Sequence, residues 1–254
     1  TSGGLNAGVA TGAKRSGAGL GAGLFVINGL AAWEWGLANQ YRYNIRVINL
    51  SLGALTTDSY KTDPLCQAAE RAVLAGIVVV ASAGNDGKDQ DGQPVYGGIH
   101  SPGIDPMVIT VGATNSRETD TRSDDVVATY SSRDPTYADR LMKPDLVAPG
   151  NKIIGAEADQ NALVTAYPEI HLPAKGDTTR RGLMRLSGTS MASPMVAGIV
   201  ALMLQKNPSL TPALVKAILQ YTAQHLPYAN LLEQGAGEVN AEGALRLTAA
   251  IKTT

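Results

Sequence analysis

The sequence predicts an α/β fold in which a parallel β-sheet is flanked by helices. Residues 77–81 and 107–113 are almost continuously apolar, which is typical of strands buried on both faces of a parallel sheet. A segment of helical character precedes the first of these strands, and strands that alternate with helices form βαβ units. Because 254 residues suit one large domain and no linker is visible, we expect a single domain over residues 1–254.

The N-terminal elements each have a local signal. Residues 24–39 are apolar on nearly every side, which predicts a buried helix whose tryptophans pack in the core. Residues 45–50 predict a short strand. Asp63 and Pro64 mark the start of a second helix, as a capping residue and the first helical residue. Gly76 ends that helix.

The remaining chain is less regular before it becomes helical again. Residues 1–22 are rich in Gly and Ala and predict an irregular remnant or an edge segment. Residues 114–185 show little periodicity, and we expect a long polar loop at about 156–184. Loops of that length are usually functional or disordered. Further helices are predicted at 191–204, 211–223 and 240–251.

Composition excludes several classes of function. Lys and Arg number 21 and Asp and Glu number 22, so the net charge is −1. That balance argues against a nucleic-acid or anionic membrane partner. The single Cys excludes an intrachain disulfide. The three histidines are scattered, which excludes most zinc sites, and no metal site is predicted. Neither a signal-peptide pattern nor an apolar run of about 18 residues is visible.

Two polar segments adjoin the predicted apolar elements. Gly188-Thr189-Ser190 precedes an apolar helix, so the Ser190 hydroxyl lies near unpaired backbone N–H groups and the positive end of the helix dipole. The alternative is that Ser190 only caps the helix. Asn85 follows the strand at 77–81, where its amide could donate to a developing oxyanion. The alternative is a turn-forming asparagine.

These segments resemble motifs of the subtilisin-like serine proteases, the subtilase family. The resemblance covers about residues 8–250 and rests on segments 48–53, 79–87, 143–150 and 187–194, in the family's order. It implies that Ser190 is the nucleophile and Asn85 the oxyanion amide, with the Ser190 backbone N–H as a second donor.

The resemblance also implies a groove for an ester or peptide substrate. An extended substrate would pair with Ser51-Leu52-Gly53 through main-chain hydrogen bonds. Ala83 and Gly84 belong to the oxyanion segment. Ser101-Pro102-Gly103 would form a wall of the pocket for the side chain before the scissile bond. Calcium sites are common in the family, but no loop of this sequence is specific enough to assign one, and no cofactor is predicted.

The family's triad also includes an Asp in an Asp-Thr/Ser-Gly motif and a His in a His-Gly-Thr-His motif. Neither motif occurs in this sequence. We therefore expect an incomplete triad and a sheet reduced on its N-terminal side. A serine hydroxyl is a weak nucleophile without a base, so the sequence predicts hydrolysis of activated or short-chain esters with weak or no peptidase activity. The alternative is an inactive fragment or pseudoenzyme that binds peptides or requires a complementing N-terminal segment.

His171 is the candidate replacement base, because it lies in the predicted loop before Ser190. Lys175 in the same loop, and His100 and His225 elsewhere, are weaker candidates. For each of them, an ordinary solvated or hydrogen-bonded side chain is the alternative.

A reduced sheet would also leave the strand at 45–50 as an exposed apolar edge. We expect either that residues 12–21 pair with this edge or that two chains form a homo-oligomer, by associating through this edge or by exchanging N-terminal segments.

Overall fold

The computed structural model describes residues 30–31, 33–173 and 182–252. It confirms the α/β fold with a parallel sheet flanked by helices. The strands are β1 (Val47–Leu50), β2 (Ala54–Leu55), β3 (Val78–Ser82), β4 (His100–Ser101), β5 (Ile109–Asn115), β6 (Val126–Val127), β7 (Leu146–Pro149), β8 (Ile153–Ala156), β9 (His171–Leu172) and β10 (Leu183–Leu186).

Helical residues 33–38 precede the first of seven numbered helices. These are α1 (Gln40–Tyr43), α2 (Pro64–Leu74), α3 (Ala162–Ala166), α4 (Thr189–Lys206), α5 (Pro212–Thr222), α6 (Leu231–Gln234) and α7 (Ala241–Ala250), with 3₁₀ turns at Arg122–Asp124 and Pro168–Ile170. None of the helices in the described ranges is both long and apolar enough to cross a membrane.

The central sheet consists of parallel strands in the order β1, β3, β5, β7, and the short β6 pairs antiparallel with the end of β5. Ile48 lies opposite Val79, and Val80 lies opposite Ile109. Because parallel strands all end at the same edge, the loops after β1 and β3 come out side by side. This edge carries the candidate site.

Strand β3 shows why the sheet is buried on both faces. Val78 and Val80 pack into a cluster with α4, α5 and α7. Val79 and Ala81 face the opposite cluster, which contains α2 and Trp33. Successive side chains of a strand point to opposite faces, so an uninterrupted apolar run fits a strand covered by helices on both sides.

The predicted start of the second helix is confirmed. Asp63 caps α2, since its carboxylate accepts hydrogen bonds from the backbone N–H groups of Leu65 and Cys66 at 2.9 and 3.0 Å. Pro64 is the first helical residue. Gly76 follows the helix with a φ of +88°, a conformation that glycine adopts without a Cβ penalty.

The prediction of little regular structure over residues 114–185 was wrong in two places. Strand β7 belongs to the central sheet. Strands β8 and β10, at the two ends of the expected loop, form a three-stranded antiparallel sheet with β9 inside it. The residues of β8 and β10 alternate between partly buried and exposed. Each of these strands is only four residues long, so its apolar residues form too short a run to stand out beside the polar stretch between them.

Within the described ranges, β3 is the one strand that pairs with β1. Residues 12–21, the predicted partner on the other edge, lie outside those ranges. The association of two chains through this edge therefore stays a prediction.

Candidate active site

Ser190 is the second residue of α4, and Gly188 is the residue that caps this helix. The capping alternative for Ser190 was therefore wrong. Gly188 has a φ of +153°, which favours glycine. The N–H groups of a helix's first turn have no partner inside the helix. The backbone N–H of Ser190 therefore makes no hydrogen bond within the helix, and it lies next to the hydroxyl of the same residue.

Pro194 explains how the nucleophile segment is attached to β1. A proline inside a helix has no N–H for the carbonyl four residues earlier, which is the carbonyl of Ser190. The Ser51 hydroxyl, just beyond β1, donates to that carbonyl at 2.8 Å. Ser51 Oγ also accepts from Asn49 Nδ2 at 2.9 Å and lies 3.1 Å from Ser193 Oγ. The first turn of α4 is thereby fixed to the carboxyl end of β1.

Asn85 follows β3, and its amide is oriented by Thr189. The carbonyl oxygen Oδ1 accepts from the Thr189 backbone N–H at 3.0 Å and from the Thr189 hydroxyl at 3.1 Å. With Oδ1 engaged in this way, Nδ2 is the group left to donate, and it lies 3.5 Å from where a Cβ on Gly188 would be. The amide donor therefore faces the loop that carries Ser190.

Thr189 is a site residue that sequence reasoning did not single out. Its hydroxyl is buried and also lies 3.2 Å from both the N and the O of Gly84. It joins the oxyanion segment after β3 to the first turn of α4. The position of Thr189 inside the Gly-Thr-Ser motif was the available signal.

The predicted groove segments meet at the same end of the sheet. Ser51-Leu52-Gly53 follows β1, and Ala83-Gly84 follows β3. Strands β2 and β4 pair with Ala54 opposite Ser101, which brings Ser101-Pro102-Gly103 alongside. Ser51, Leu52 and Gly53 are partly exposed. Ser101, Pro102 and Gly103 are buried, and the Ser101 hydroxyl donates to the Asp63 carboxylate at 2.7 Å. Ser101 thus stabilises the groove from its buried side.

The three histidines have their own partners. His171 Nδ1 lies 2.6 Å from Glu157 Oε2, His225 Nε2 lies 3.0 Å from Gln234 Nε2, and His100 pairs with Asp86. The Ser190 hydroxyl donates to the Ser51 carbonyl at 3.3 Å. The structure therefore does not join any of these imidazoles to Ser190 by a hydrogen bond. The role of His171 as a base stays a prediction, and Lys175 lies outside the described residues.

An apolar cavity of about 290 Å³ opens beside Ser190. It is bordered by Ser51, by the sheet of β8 and β10, and by the side of α4 that carries Met191 and Met195. Met195 is 43% exposed and lines this cavity. An apolar group bound next to the nucleophile would fit this space.

Tyr130 supports the nucleophile loop from within the protein. Its hydroxyl donates to the carbonyl of Gly150 at 2.9 Å, and that carbonyl also accepts the backbone N–H of Gly188 at 2.9 Å. Burial raises the pKa of Tyr130 to about 12, so its hydroxyl stays protonated at neutral pH. Among the residues with described positions, no group of three His, Cys, Asp or Glu side chains is arranged to hold a metal ion.

Comparisons with known proteins identify the family. The subtilase family model matches residues 3–242. Serine protease AprX of Bacillus subtilis is 40% identical over 205 residues, which are 79% of this chain and 43% of that protein. Subtilisin E of Bacillus subtilis is 32% identical over 87% of this chain and 44% of its own length. The chain spans less than half the length of these relatives.

A solved structure shows the same likeness in three dimensions. Fervidolysin from Fervidobacterium pennivorans, a keratinolytic enzyme related to subtilisin, superposes with a TM-score of 0.65 at 28% identity. The superposition covers 87% of this chain and 29% of fervidolysin. With a family model over nearly the whole sequence and a relative at 40% identity, this chain belongs to the subtilase family and has the fold of its serine proteases.

Proposed function

We propose that this chain carries the nucleophile, Ser190, and the oxyanion donor, Asn85, of a serine hydrolase. With its own residues it hydrolyses activated or short-chain esters and has weak or no peptidase activity. The observation that carries the proposal is the orientation of Asn85: Thr189 engages Oδ1 at 3.0 and 3.1 Å. The amide therefore presents a donor beside the nucleophile before any substrate arrives.

In the proposed reaction, Ser190 Oγ attacks the ester carbonyl carbon and its proton passes to water or hydroxide. The negative charge that forms on the carbonyl oxygen is stabilised by Asn85 Nδ2 and the Ser190 N–H. The tetrahedral intermediate collapses, the phenolate or alkoxide departs with the bonding electrons, and Ser190 is acylated. Water then attacks the acyl group and frees Ser190 and the acid.

The same groups are a poor match for peptide hydrolysis. A departing amine must be protonated as the bond breaks, which in serine proteases is the task of an imidazolium. A phenolate needs no such proton. The oxyanion donors and binding alone retain about 10³–10⁴-fold acceleration over water, which suits activated esters.

A second candidate function is peptide hydrolysis after complementation by a segment that carries the family's Asp and His motifs. The apolar cavity of about 290 Å³ beside Ser190 favours it, since it offers such a segment an apolar contact surface next to the nucleophile. Within the part of the chain that the structure describes, Asn49 Oδ1 is buried without a hydrogen-bond partner, and the Asn49 amide adjoins Ser51, so a polar group of the segment could pair with it.

The proposal is tested with a fluorophosphonate probe and p-nitrophenyl esters on the wild-type chain and on Ser190→Ala. We expect Ser190-dependent labelling and ester turnover that both disappear in Ser190→Ala. Ser187→Ala, a change in the same motif at an exposed position, is the matched control and should keep both.

The hydrolase proposal would be refuted if Ser190→Ala kept both labelling and ester turnover, or if the wild type showed neither. Casein hydrolysis that appears only when a segment with the Asp and His motifs is added would support the second candidate.

A further inference from the structure

We propose that His100 and Asp86 form the floor of the subsite for the acyl-side residue of the substrate and restrict that residue to a small side chain, Gly or Ala. This inference rests on the proposed function, because it specifies the substrate of the same groove. It gives His100 a role in specificity and none in proton transfer.

The position of His100 follows from its backbone. It lies in β4 opposite Leu55 of β2, and its N–H donates to the carbonyl of Ala83 at 2.9 Å. His100 is therefore held between the segment that follows β1 and the segment that follows β3. These are the two segments between which an extended acyl chain leading to Ser190 would lie.

The imidazole of His100 fills the gap between two glycines of the groove. A Cβ placed on Gly84 would come within 2.6 Å of His100 Cδ2, and a Cβ placed on Gly53 would come within 2.8 Å of His100 Cβ. The ring thus packs directly on the backbone of both segments. A side chain that enters between Gly53 and Gly84 meets the edge of this ring.

Asp86 tethers the ring in this place. Its carboxylate pairs with His100 Nε2, while its own backbone N–H donates to the Ser132 hydroxyl at 3.1 Å. Ser132 is fully buried, and its Oγ would lie 2.7 Å from a Cβ on Gly84. With buried Ser132 fixing the Asp86 backbone, the ring cannot swing away without breaking the pair.

Exposure indicates which part of the pair a substrate would touch. The His100 side chain is 20% exposed and the Asp86 side chain is 53% exposed. A small acyl-side residue leaves this pair intact. A large apolar residue would have to displace the imidazole and separate it from its carboxylate, and misfit in a tight subsite typically costs about 10-fold or more in discrimination.

The test measures equilibrium binding of two product-like peptides, acetylated tetrapeptides that end in Ala or in Phe, by titration calorimetry. We expect the wild-type chain to bind the Ala peptide at least about 10-fold more tightly than the Phe peptide. His100→Ala opens the subsite and should remove or reverse this ratio. His225→Ala is the matched control, since His225 contacts Gln234 elsewhere, and it should retain the wild-type ratio.

Asp86→Ala provides a second variant if His100→Ala fails to fold, which circular dichroism detects. It keeps the ring but frees it, so the Ala over Phe ratio should fall towards one. Equal dissociation constants in the wild type, binding of neither peptide at millimolar concentration, or an unchanged ratio in both folded variants would overturn the inference.

Discrimination between the two peptides is measured without turnover, so each proposal can be refuted without refuting the other. Discrimination without fluorophosphonate labelling would contradict the hydrolase alone. Labelling without discrimination would contradict the role of His100 and Asp86 alone.

Discussion

Glu238 gives the stability of this protein a pH dependence that one substitution should remove. Its carboxyl group is 1% exposed, and Oε1 accepts the Thr114 hydroxyl at 2.6 Å. Among the described residues, Oε2 has no hydrogen-bond partner and lies 3.9 Å from Arg122 Nε, and the nearby buried Asp125 Oδ1 also has no hydrogen-bond partner. Burial is the main cause that raises the pKa of Glu238 to about 7. The hydrogen bond from Thr114 lowers it, the adjacent Asp125 adds to the rise, and Arg122 opposes it.

The sign follows from comparing the folded and unfolded chains. The protonated form is favoured in the fold, because the pKa rises from an ordinary 4.5 to about 7. The stabilisation is complete below about pH 4.5 and is lost as the pH rises through about 7. A pKa difference of this size corresponds to about 3 kcal/mol of unfolding free energy.

The perturbation is Glu238→Gln, which keeps an acceptor for Thr114 and removes the titration. The assay is urea unfolding at pH 5 and pH 8, followed by tryptophan fluorescence. We expect the wild type to lose about 2–3 kcal/mol more than the variant between these pH values. Glu242→Gln is the control, since Glu242 is exposed and pairs with Arg246 on the surface of α7. Parallel pH dependences of wild type and Glu238→Gln would refute the reasoning.

Three further predictions concern the site, a helix cap and the sheet edge. Asn85→Ala should lower ester turnover about 10²–10³-fold, the loss typical of removing such a donor from a subtilisin; an unchanged rate would contradict its role. Asp63→Ala should cost about 3 kcal/mol in urea unfolding, because it removes the α2 cap and the partner of the buried Ser101 hydroxyl. Thr211→Ala, with one 3.3 Å cap bond on α5, should cost only about 1 kcal/mol. Association through Val47–Leu50 predicts a dimeric mass by light scattering, and a monomeric mass would contradict it.

The buried strands could be predicted because their environment is uniform. Strands β3 and β5 are covered on both faces, so the apolar run itself is the signal. The strand β7 is as deeply buried but has only three apolar residues before Pro149, which is too short a run to distinguish from a loop. The strands β8 and β10 are apolar but only four residues long and partly exposed on one face, so they do not stand out from the polar stretch between them.

The site could be predicted only as far as its motifs are local. Asn85 and Ser190 lie in short distinctive segments, and the structure places those segments at one end of the sheet. The hydrogen bond from Ser51 to the Ser190 carbonyl joins residues 139 positions apart. The Ser190 carbonyl is available for this bond because Pro194 has no N–H to donate to it. That can be recognised only once α4 is known to begin before Ser190. The pairing of His100 with Asp86 likewise depends on β4 pairing with β2.

The catalytic role of Ser190 is best tested by the site of acylation by p-nitrophenyl acetate, determined by rapid quench and peptide mass mapping. We expect a stoichiometric burst of p-nitrophenol and one acetyl group on Ser190, both lost in Ser190→Ala. Acetyl groups only on lysine or histidine side chains, or turnover that is unchanged in Ser190→Ala, would contradict the claim that Ser190 and its oxyanion donors carry the chemistry of this chain.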